Sequence, residues 1–162
     1  MRASSVQLKP HPSHADHGVD SLTVFFSRRG TGLYLKYKII GDPSGILLPS
    51  EPGGNRRNEL WKQTCLEAFV RVDGAEGYLE FNFAPNGDWA AYEFDGYRRH
   101  GRDLAVSAPR IQRDQADKEM TVTVTLPTLP ALYRSNTIQL GLSAVIKTPQ
   151  NDRYYWALFH PS

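Results

Sequence analysis

Apolar and polar side chains alternate along most of this chain, and this period of two constrains the fold more than any other feature. In the clearest segment, Glu119–Leu126, one set of positions is apolar (Met120, Val122, Val124, Leu126) and every residue between them is threonine. Successive side chains of a β-strand point to opposite faces, so the segment predicts a strand with one buried face. Helical periodicity is weak, and only residues 126–135, which are bounded by prolines, indicate a short helical turn.

Eight segments share this alternation, and turn residues separate them. They are residues 21–27, 32–40, 65–72, 78–83, 88–94, 119–126, 137–146 and 154–158. The sequences RRGT (28–31) and APNG (84–87) are typical of hairpin turns. Many short antiparallel strands with little helix predict an all-β chain, a β-sandwich or a barrel. The 162 residues correspond to one domain, residues 1–162.

Composition narrows the possible partners and compartment. The net charge is +2 and no run of five Lys or Arg occurs, which argues against nucleic acid as a partner. The sequence contains no stretch of 18 apolar residues, so it predicts no membrane span. The N-terminal segment lacks the apolar region of a secretory signal. Cys65 is the one cysteine, so no internal disulfide is possible. We therefore expect a cytoplasmic protein.

The segment YLEFNFAPNGDWAAYEF (78–94) predicts a hairpin with one unusual face. If APNG is a four-residue loop, Phe83 faces Asp88 and the core face holds Leu79, Phe81, Phe83, Ala90, Tyr92 and Phe94. The other face then holds Tyr78, Glu80, Asn82, Trp89, Ala91 and Glu93. An indole ring beside a carboxylate and an amide is typical of sugar binding, because rings stack on C–H faces while polar groups bind hydroxyls. The same polar residues are equally typical of a solvent-facing sheet surface.

Two alternatives remain open for Glu67. With a five-residue loop at 73–77, Glu67 shares the face of Phe81 and Phe83 and is partly buried; it then needs a partner such as Arg56, Arg57 or a backbone amide. With a loop one residue shorter, Glu67 joins Glu80 and Asn82, and Arg71 lies opposite Glu80. Only the second register allows a glycosidase pair of Glu67 and Glu80.

The sequence gives little support for a metal site, a reactive thiol or a haem site. His11, His14 and His17 are spaced three apart in a segment that contains Pro12, and we expect solvated side chains rather than a metal site. Cys65 is expected to be a buried, inert thiol. Met120 belongs to a strand core, which leaves His100 and His160 as candidate haem ligands, and no CxxCH motif occurs.

The segments RRNELWKQTCLEAF (56–69) and YLEFNFAPNGDWAAYEFDGYR (78–98) resemble DOMON-like domains related to family 9 carbohydrate-binding modules. The start, LKPHP, and the end, YYWALFHP, are also similar to that family, although Leu66 stands where an aromatic residue is common. The resemblance implies a DOMON or jelly-roll type of antiparallel β-sandwich and a ligand-binding role, with sugars or haem as ligands. It does not imply catalysis, and it allows a structural Ca²⁺ ion.

From this we predict a non-catalytic module for a carbohydrate or sugar-like small molecule, with no cofactor required. The predicted site comprises Trp61, Glu67, Glu80, Asn82, Trp89, Tyr97, Arg98 and Trp156. The tryptophans would stack on the ligand, Glu80, Asn82 and Arg98 would form hydrogen bonds, and Tyr97 would wall the site. The long Pro- and Gly-rich loop at 41–58 is expected to have a functional or lid-like role.

The alternatives are a protein-interaction or structural domain, a haem-binding domain and a carbohydrate-active enzyme. In the first of these, the aromatic C-terminal strand would form the interface, with a homodimer as the expected assembly.

Overall fold

The computed structural model describes residues 4–12, 18–97, 99–129 and 137–158, and strands dominate these ranges. We number the strands β1 (Ser4–Gln7), β2 (Lys9–Pro10), β3 (Val19–Arg29), β4 (Gly32–Gly41), β5 (Cys65–Val72), β6 (Tyr78–Phe83), β7 (Trp89–Phe94), β8 (Arg102–Asp103), β9 (Arg110–Ala116), β10 (Glu119–Leu126), β11 (Ile138–Lys147) and β12 (Arg153–Ala157). Helix in these ranges is limited to short 3-10 turns, among them Pro43–Gly45 and Leu60–Lys62. None of the helices described is long and apolar enough to cross a membrane.

The strands form two antiparallel sheets that pack face to face. The five-stranded sheet has the order β1-β3-β4-β10-β9, and the seven-stranded sheet has the order β2-β12-β11-β5-β6-β7-β8. The inner faces supply a continuous apolar core that includes Leu35, Phe81 and Val122. Tyr37 of β4 is fully buried, and its hydroxyl donates a hydrogen bond of 2.8 Å to the carbonyl oxygen of Glu67 on β5, which ties the two sheets together. The predicted antiparallel β-sandwich is therefore confirmed.

All eight predicted strands are present, with ends that differ by a few residues. The threonine-spaced strand β10 has its Met and aliphatic side chains in the core, as expected. Strands β1, β2, β8 and β9 were not predicted from the alternation. The predicted helical turn at 126–135 lies mostly outside the described residues, and the stretch 127–129 contains no helix.

The predicted register of the β6–β7 hairpin is wrong by one residue. Phe83 pairs with Trp89 rather than with Asp88, so Trp89 lies on the core face, and Ala90, Tyr92 and Phe94 lie on the other face. The cause is Asp88, whose buried carboxylate accepts a hydrogen bond from the backbone N–H of Asn55 at 3.0 Å. This contact holds Asp88 inside the turn and moves the pairing along by one position.

The β5–β6 register matches the second alternative for Glu67. Glu67 pairs with Asn82, so Glu67, Asn82 and Glu80 share the face turned away from the core. Phe69, rather than Arg71, lies opposite Glu80.

Strand β12 alternates as expected, with Trp156 in the core and Leu158 packed against it just after the strand. Trp156 is 3% exposed and belongs to the core, so the prediction that it extends a stacking surface is wrong. Tyr155, one residue earlier, lies on the opposite face and is 42% exposed.

Candidate ligand-binding site

The candidate site lies on the outer face of the seven-stranded sheet, which is the face turned away from the core. Strand pairing brings four rows of side chains together there. The rows, taken across β11, β5, β6 and β7, are Gln139, Arg71, Tyr78, Phe94; then Gly141, Phe69, Glu80, Tyr92; then Ser143, Glu67, Asn82, Ala90; and last Val145 with Cys65. Adjacent strands are about 4.8 Å apart, so each row forms one surface.

Aromatic rings run across one end of this outer face. The rings of Tyr78 and Phe94 stack at 4.9 Å with an interplanar angle of 14°, and Phe69 meets Tyr78 at 6.3 Å in a tilted contact. Tyr92 continues the series beside Phe94 at 6.4 Å. These neighbours hold one another in place, so the end of the sheet presents a firm aromatic surface.

An open groove of about 350 Å³ lies on this aromatic end. Its rings are those of Phe69, Tyr78 and Tyr97, and Tyr97 is 77% exposed. Gly141 also lines it, and a glycine within a strand leaves room for a ligand to approach the backbone. The volume falls at the small end of the range for small-molecule sites.

Polar groups lie along the same groove. Arg71 donates hydrogen bonds from Nε, at 3.0 Å, and from Nη2 to Oε1 of Gln139. Glu76 also lines the groove, and its carboxylate lies 3.6 Å from the guanidinium of Arg99. The groove thus combines apolar ring faces with hydrogen-bonding groups at its margin.

Glu67 lies one row further along the outer face and is largely buried. Ser143 on β11 donates a hydrogen bond of 2.7 Å to Oε1 of Glu67. Burial raises the pKa of the Glu67 carboxyl above its ordinary value of 4.5, although the Ser143 hydrogen bond acts in the opposite direction. The expected partners Arg56 and Arg57 contact other groups, so the partner of Glu67 is the serine hydroxyl.

Glu80 is the diagonal neighbour of Glu67 across the β5–β6 pair. Such positions are roughly 7–8 Å apart, so the two carboxylates share one surface. Neither glutamate is among the residues that line the open groove at the aromatic end.

The 3-10 turn Leu60–Lys62 covers the other end of the outer face. Leu60 packs on Cys65, Ala84 and Ala90, and Asn82 is completely buried at this end. Within the described chain, neither the amide oxygen nor the amide nitrogen of Asn82 has a protein hydrogen-bond partner. Cys65 is buried as predicted, and burial raises the pKa of its thiol.

Trp61 is the predicted tryptophan that the structure leaves accessible. Its side chain is 46% exposed on the 3-10 turn, where the guanidinium of Arg153 lies 5.9 Å and the ammonium of Lys62 lies 5.6 Å from the ring. Arg153 belongs to the outer face of β12, so Trp61 stands beside the outer face at the end away from the groove.

Trp89 is a core residue rather than a stacking residue. It is 7% exposed, and the guanidinium of Arg56 lies 4.9 Å from its ring. Arg56 also donates hydrogen bonds to the carbonyl oxygens of Leu104, at 2.8 Å, and Ala91. Trp89 and Arg56 therefore fix the long loop before β5 against β7.

Of the predicted site residues, the outer face brings together Glu67, Glu80 and Asn82, with Tyr97 over the groove and Trp61 at the far end. Arg98, His14, His17 and His160 lie outside the described residues. His100 is exposed, and its Nδ1 lies 3.1 Å from Asp95. In the part of the chain that is described, no group of three or more His, Cys, Asp or Glu side chains could hold a metal ion.

Sequence reasoning did not assign a site role to Phe69, Arg71, Tyr78, Glu76, Gln139 or Gly141. The signal for two of them was available, because any register that places Glu67 beside Glu80 also places Phe69 and Tyr78 on that face. Gln139 and Gly141 come from β11, which is distant in sequence.

Comparison with known proteins supports this fold. No protein-family model and no curated protein matches the sequence. A solved structure of a candidate carbohydrate-binding protein from Bacteroides uniformis matches 99% of this chain and 81% of its own, with a TM-score of 0.65 and 11% identity.

Two structures of a family 9 carbohydrate-binding module from Caldicellulosiruptor kristjanssonii also match 86% of this chain. The complex with glucose has a TM-score of 0.52, 12% identity and 66% of its chain covered. The complex with cellotriose has a TM-score of 0.51, 11% identity and 65% of its chain covered. The chain therefore has the β-sandwich fold of these carbohydrate-binding modules.

Proposed function

We propose that this protein is a non-catalytic binding module for a carbohydrate or a sugar-like small molecule, and that the groove on the outer face is its site. The observation that carries the proposal is the groove itself, where Phe69, Tyr78 and Tyr97 surround a cavity of about 350 Å³ beside Arg71 and Gln139. Aromatic rings next to planar hydrogen-bonding groups suit a pyranose, which has apolar C–H faces and a belt of hydroxyls.

The roles follow from exposure and position. Tyr97 is the most exposed ring and stacks on the sugar, while Phe69 and Tyr78 form the apolar floor. Arg71 and Gln139 bind hydroxyl oxygens. Glu80 lies in the row of Phe69 and contacts a ligand longer than one sugar unit.

The solved neighbours are consistent with this proposal. The module from Caldicellulosiruptor kristjanssonii is in complex with glucose in one structure and with cellotriose in the other. Both sugars are therefore the first ligands to test on this chain.

A binding role accounts for the geometry better than catalysis does. Glu67 and Glu80 share a face, which is the condition that a glycosidase pair requires. However, Ser143 binds Oε1 of the largely buried Glu67, and the groove is lined by other residues. A general acid needs direct access to the leaving-group oxygen, and the position of Glu67 below the surface opposes this.

The experiment is a titration of ¹⁵N-labelled protein with glucose and cellotriose, followed by amide chemical shifts. We expect saturable shifts at Phe69, Tyr78 and Gly141. We also expect at least a tenfold weaker affinity in Tyr97→Ala, because an aromatic ring that stacks on a sugar contributes strongly to the binding free energy. Tyr34→Ala is the matched control, since Tyr34 is a partly exposed ring on the other sheet beside Arg29.

Amide shifts are preferable to tryptophan fluorescence here, because Trp89 and Trp156 are buried and Trp61 lies away from the groove. Equal affinities for Tyr97→Ala and Tyr34→Ala would contradict the assigned site. Absence of any shift with sugars would favour the alternative, a protein-interaction domain that uses the exposed rings of Trp61 and Tyr155.

A further inference from the structure

We propose that the groove selects an acidic saccharide, one that carries a carboxylate, over a neutral sugar of the same shape. This inference rests on the proposed function and names the ligand class of the same site. It begins with Arg71, which lines the groove and is exposed on the outer face.

Arg71 is held in place but is not neutralised by an acidic partner. Its Nε and Nη2 donate to Oε1 of Gln139, an uncharged amide, and no carboxylate forms an ion pair with Arg71 within the described residues. Three of the five guanidinium N–H groups, two on Nη1 and one on Nη2, remain on the end of the side chain. That end has the spacing that binds a carboxylate with two parallel hydrogen bonds.

Gln139 adds further donors at the same margin. Because its Oε1 accepts both bonds from Arg71, its amide NH₂ is the group that remains for a ligand. The margin thus presents N–H donors and a positive charge, which suits a group with several acceptor oxygens. A hydroxyl oxygen of a neutral sugar accepts at most two hydrogen bonds and carries no charge, whereas a carboxylate accepts several charge-assisted ones.

Glu76 is the acidic residue of the groove, and its charge is offset locally. Its carboxylate lies 3.6 Å from Nη2 of Arg99. The rings of Phe69, Tyr78 and Tyr97 also line the groove, and a sugar ring that stacks on them would lie beside Arg71. The arrangement therefore matches a pyranose with a carboxylate on one side, as in a uronic acid.

The test compares glucuronic acid with glucose, which differ at one carbon, by isothermal titration calorimetry at low ionic strength. We expect the wild type to bind glucuronate about fivefold to tenfold more tightly than glucose, because a charge-assisted bidentate contact at an exposed site gives a modest gain. In Arg71→Met both sugars bind more weakly, because Arg71 also binds hydroxyl oxygens, but glucuronate binding falls further and the preference is lost. Raising the salt concentration weakens glucuronate binding only, since screening acts on the charged contact.

Arg110→Met is the control for net charge, because Arg110 is exposed on the edge strand β9 of the other sheet. That variant keeps the wild-type preference. Arg71→Lys keeps the charge without the planar guanidinium and shows an intermediate preference. Acetate, tested as a competitor, does not displace glucuronate at equal concentration.

The outcomes separate this inference from the proposed function. Equal affinity for glucose and glucuronate, or an unchanged ratio in Arg71→Met, overturns the acidic ligand and leaves the sugar-binding module in place. Competition by acetate at equal concentration overturns it in favour of a simple carboxylate site. Failure of both sugars to bind overturns the module and the inference together.

Discussion

Glu67 differs from an ordinary surface glutamate because the sheet buries its side chain while leaving it on the outer face. Its partners come from neighbouring strands: Ser143 donates to its carboxyl, and Tyr37 donates to its backbone carbonyl from across the core. Cys65 and Glu80 share the same face and bring no positive charge. Desolvation therefore dominates, and the pKa of Glu67 is raised.

This raised pKa predicts how stability depends on pH. Below the ordinary value of 4.5, Glu67 is protonated in both the folded and the unfolded chain, so its burial has no charge penalty. As the pH rises from there through the higher pKa of the folded state, the unfolded chain loses its proton first, and this favours unfolding. Urea denaturation at several pH values should show wild type losing stability relative to Glu67→Gln across that interval, by at most about 1.4 kcal/mol per pH unit.

Ser143→Ala provides the second measurement. The Ser143 hydrogen bond lowers the pKa of Glu67, so its removal raises that pKa further and extends the interval to higher pH. A difference between wild type and Glu67→Gln that does not change with pH would contradict the burial of this carboxyl.

At the level of strands, the outer face is built by register, and register decides which residues form the site. Gly141 on β11 shows this most directly, because it lies opposite Phe69 and lines the groove. A Cβ atom at Gly141 would lie 3.4 Å from Cβ of Phe69, which is ordinary van der Waals contact. The strand can therefore accept a side chain here, and the glycine keeps the groove open instead.

We therefore expect Gly141→Val to weaken sugar binding without lowering the stability of the fold. Replacing a strand glycine by a β-branched residue removes backbone freedom from the unfolded chain, so the free energy of unfolding is expected to stay equal or rise by up to about 1 kcal/mol. The two added methyl groups occupy the groove, and the affinity for sugar should fall at least tenfold, with Gly141→Ala in between. Thermal denaturation and calorimetric titration of the three proteins check this, and wild-type affinity in Gly141→Val would place the ligand elsewhere.

The strands themselves were predictable where one face is apolar, and the exceptions have physical reasons. The edge strand β9 (RIQRDQA) is exposed at almost every position, so it has no alternation to detect. The strands β1, β2 and β8 are only two to four residues long. Such strands exist because a neighbouring strand offers backbone partners, which local sequence does not reveal.

The site was less predictable than the strands, because it depends on contacts that are distant in sequence. The face of Trp89 follows from Asp88, which is fixed by the backbone of Asn55 and lies 3.5 Å from Arg57. A hairpin loop read in isolation cannot show this, and a shift of one residue exchanged the two faces. The face of Glu80 and Asn82 was predicted correctly, because β6 lies before the turn and the length of the turn does not affect its alternation.

Over the whole molecule, the segment between β4 and β5 links the two sheets and follows the surface of the sandwich. It is anchored near its start, where the N–H of Leu47 donates to the carbonyl of Lys147 at 2.7 Å. Further along, Trp89 N–H donates to Asn55 at 3.1 Å and Arg57 N–H donates to Trp89 at 2.8 Å. Its last part, the 3-10 turn with Leu60, covers one end of the outer face. These contacts fix the segment on the sandwich, and the functional or lid-like role of residues 41–58 stays a prediction.

This architecture predicts that replacing Trp89 lowers the free energy of unfolding far more than replacing Trp61. Trp89→Ala empties a core position and removes the ring beneath Arg56, so the free energy of unfolding is expected to fall by about 3–5 kcal/mol. Trp61→Ala removes a half-exposed ring, and the expected change is within about 0.5 kcal/mol. Urea denaturation followed by far-UV circular dichroism compares the two, with Trp89→Phe as the milder variant should Trp89→Ala not fold.

Because the groove is lined by other residues, folded Trp89→Phe should bind sugar as the wild type does. A large loss of affinity with little loss of stability would instead mean that Trp89 contacts the ligand, which its place in the core opposes.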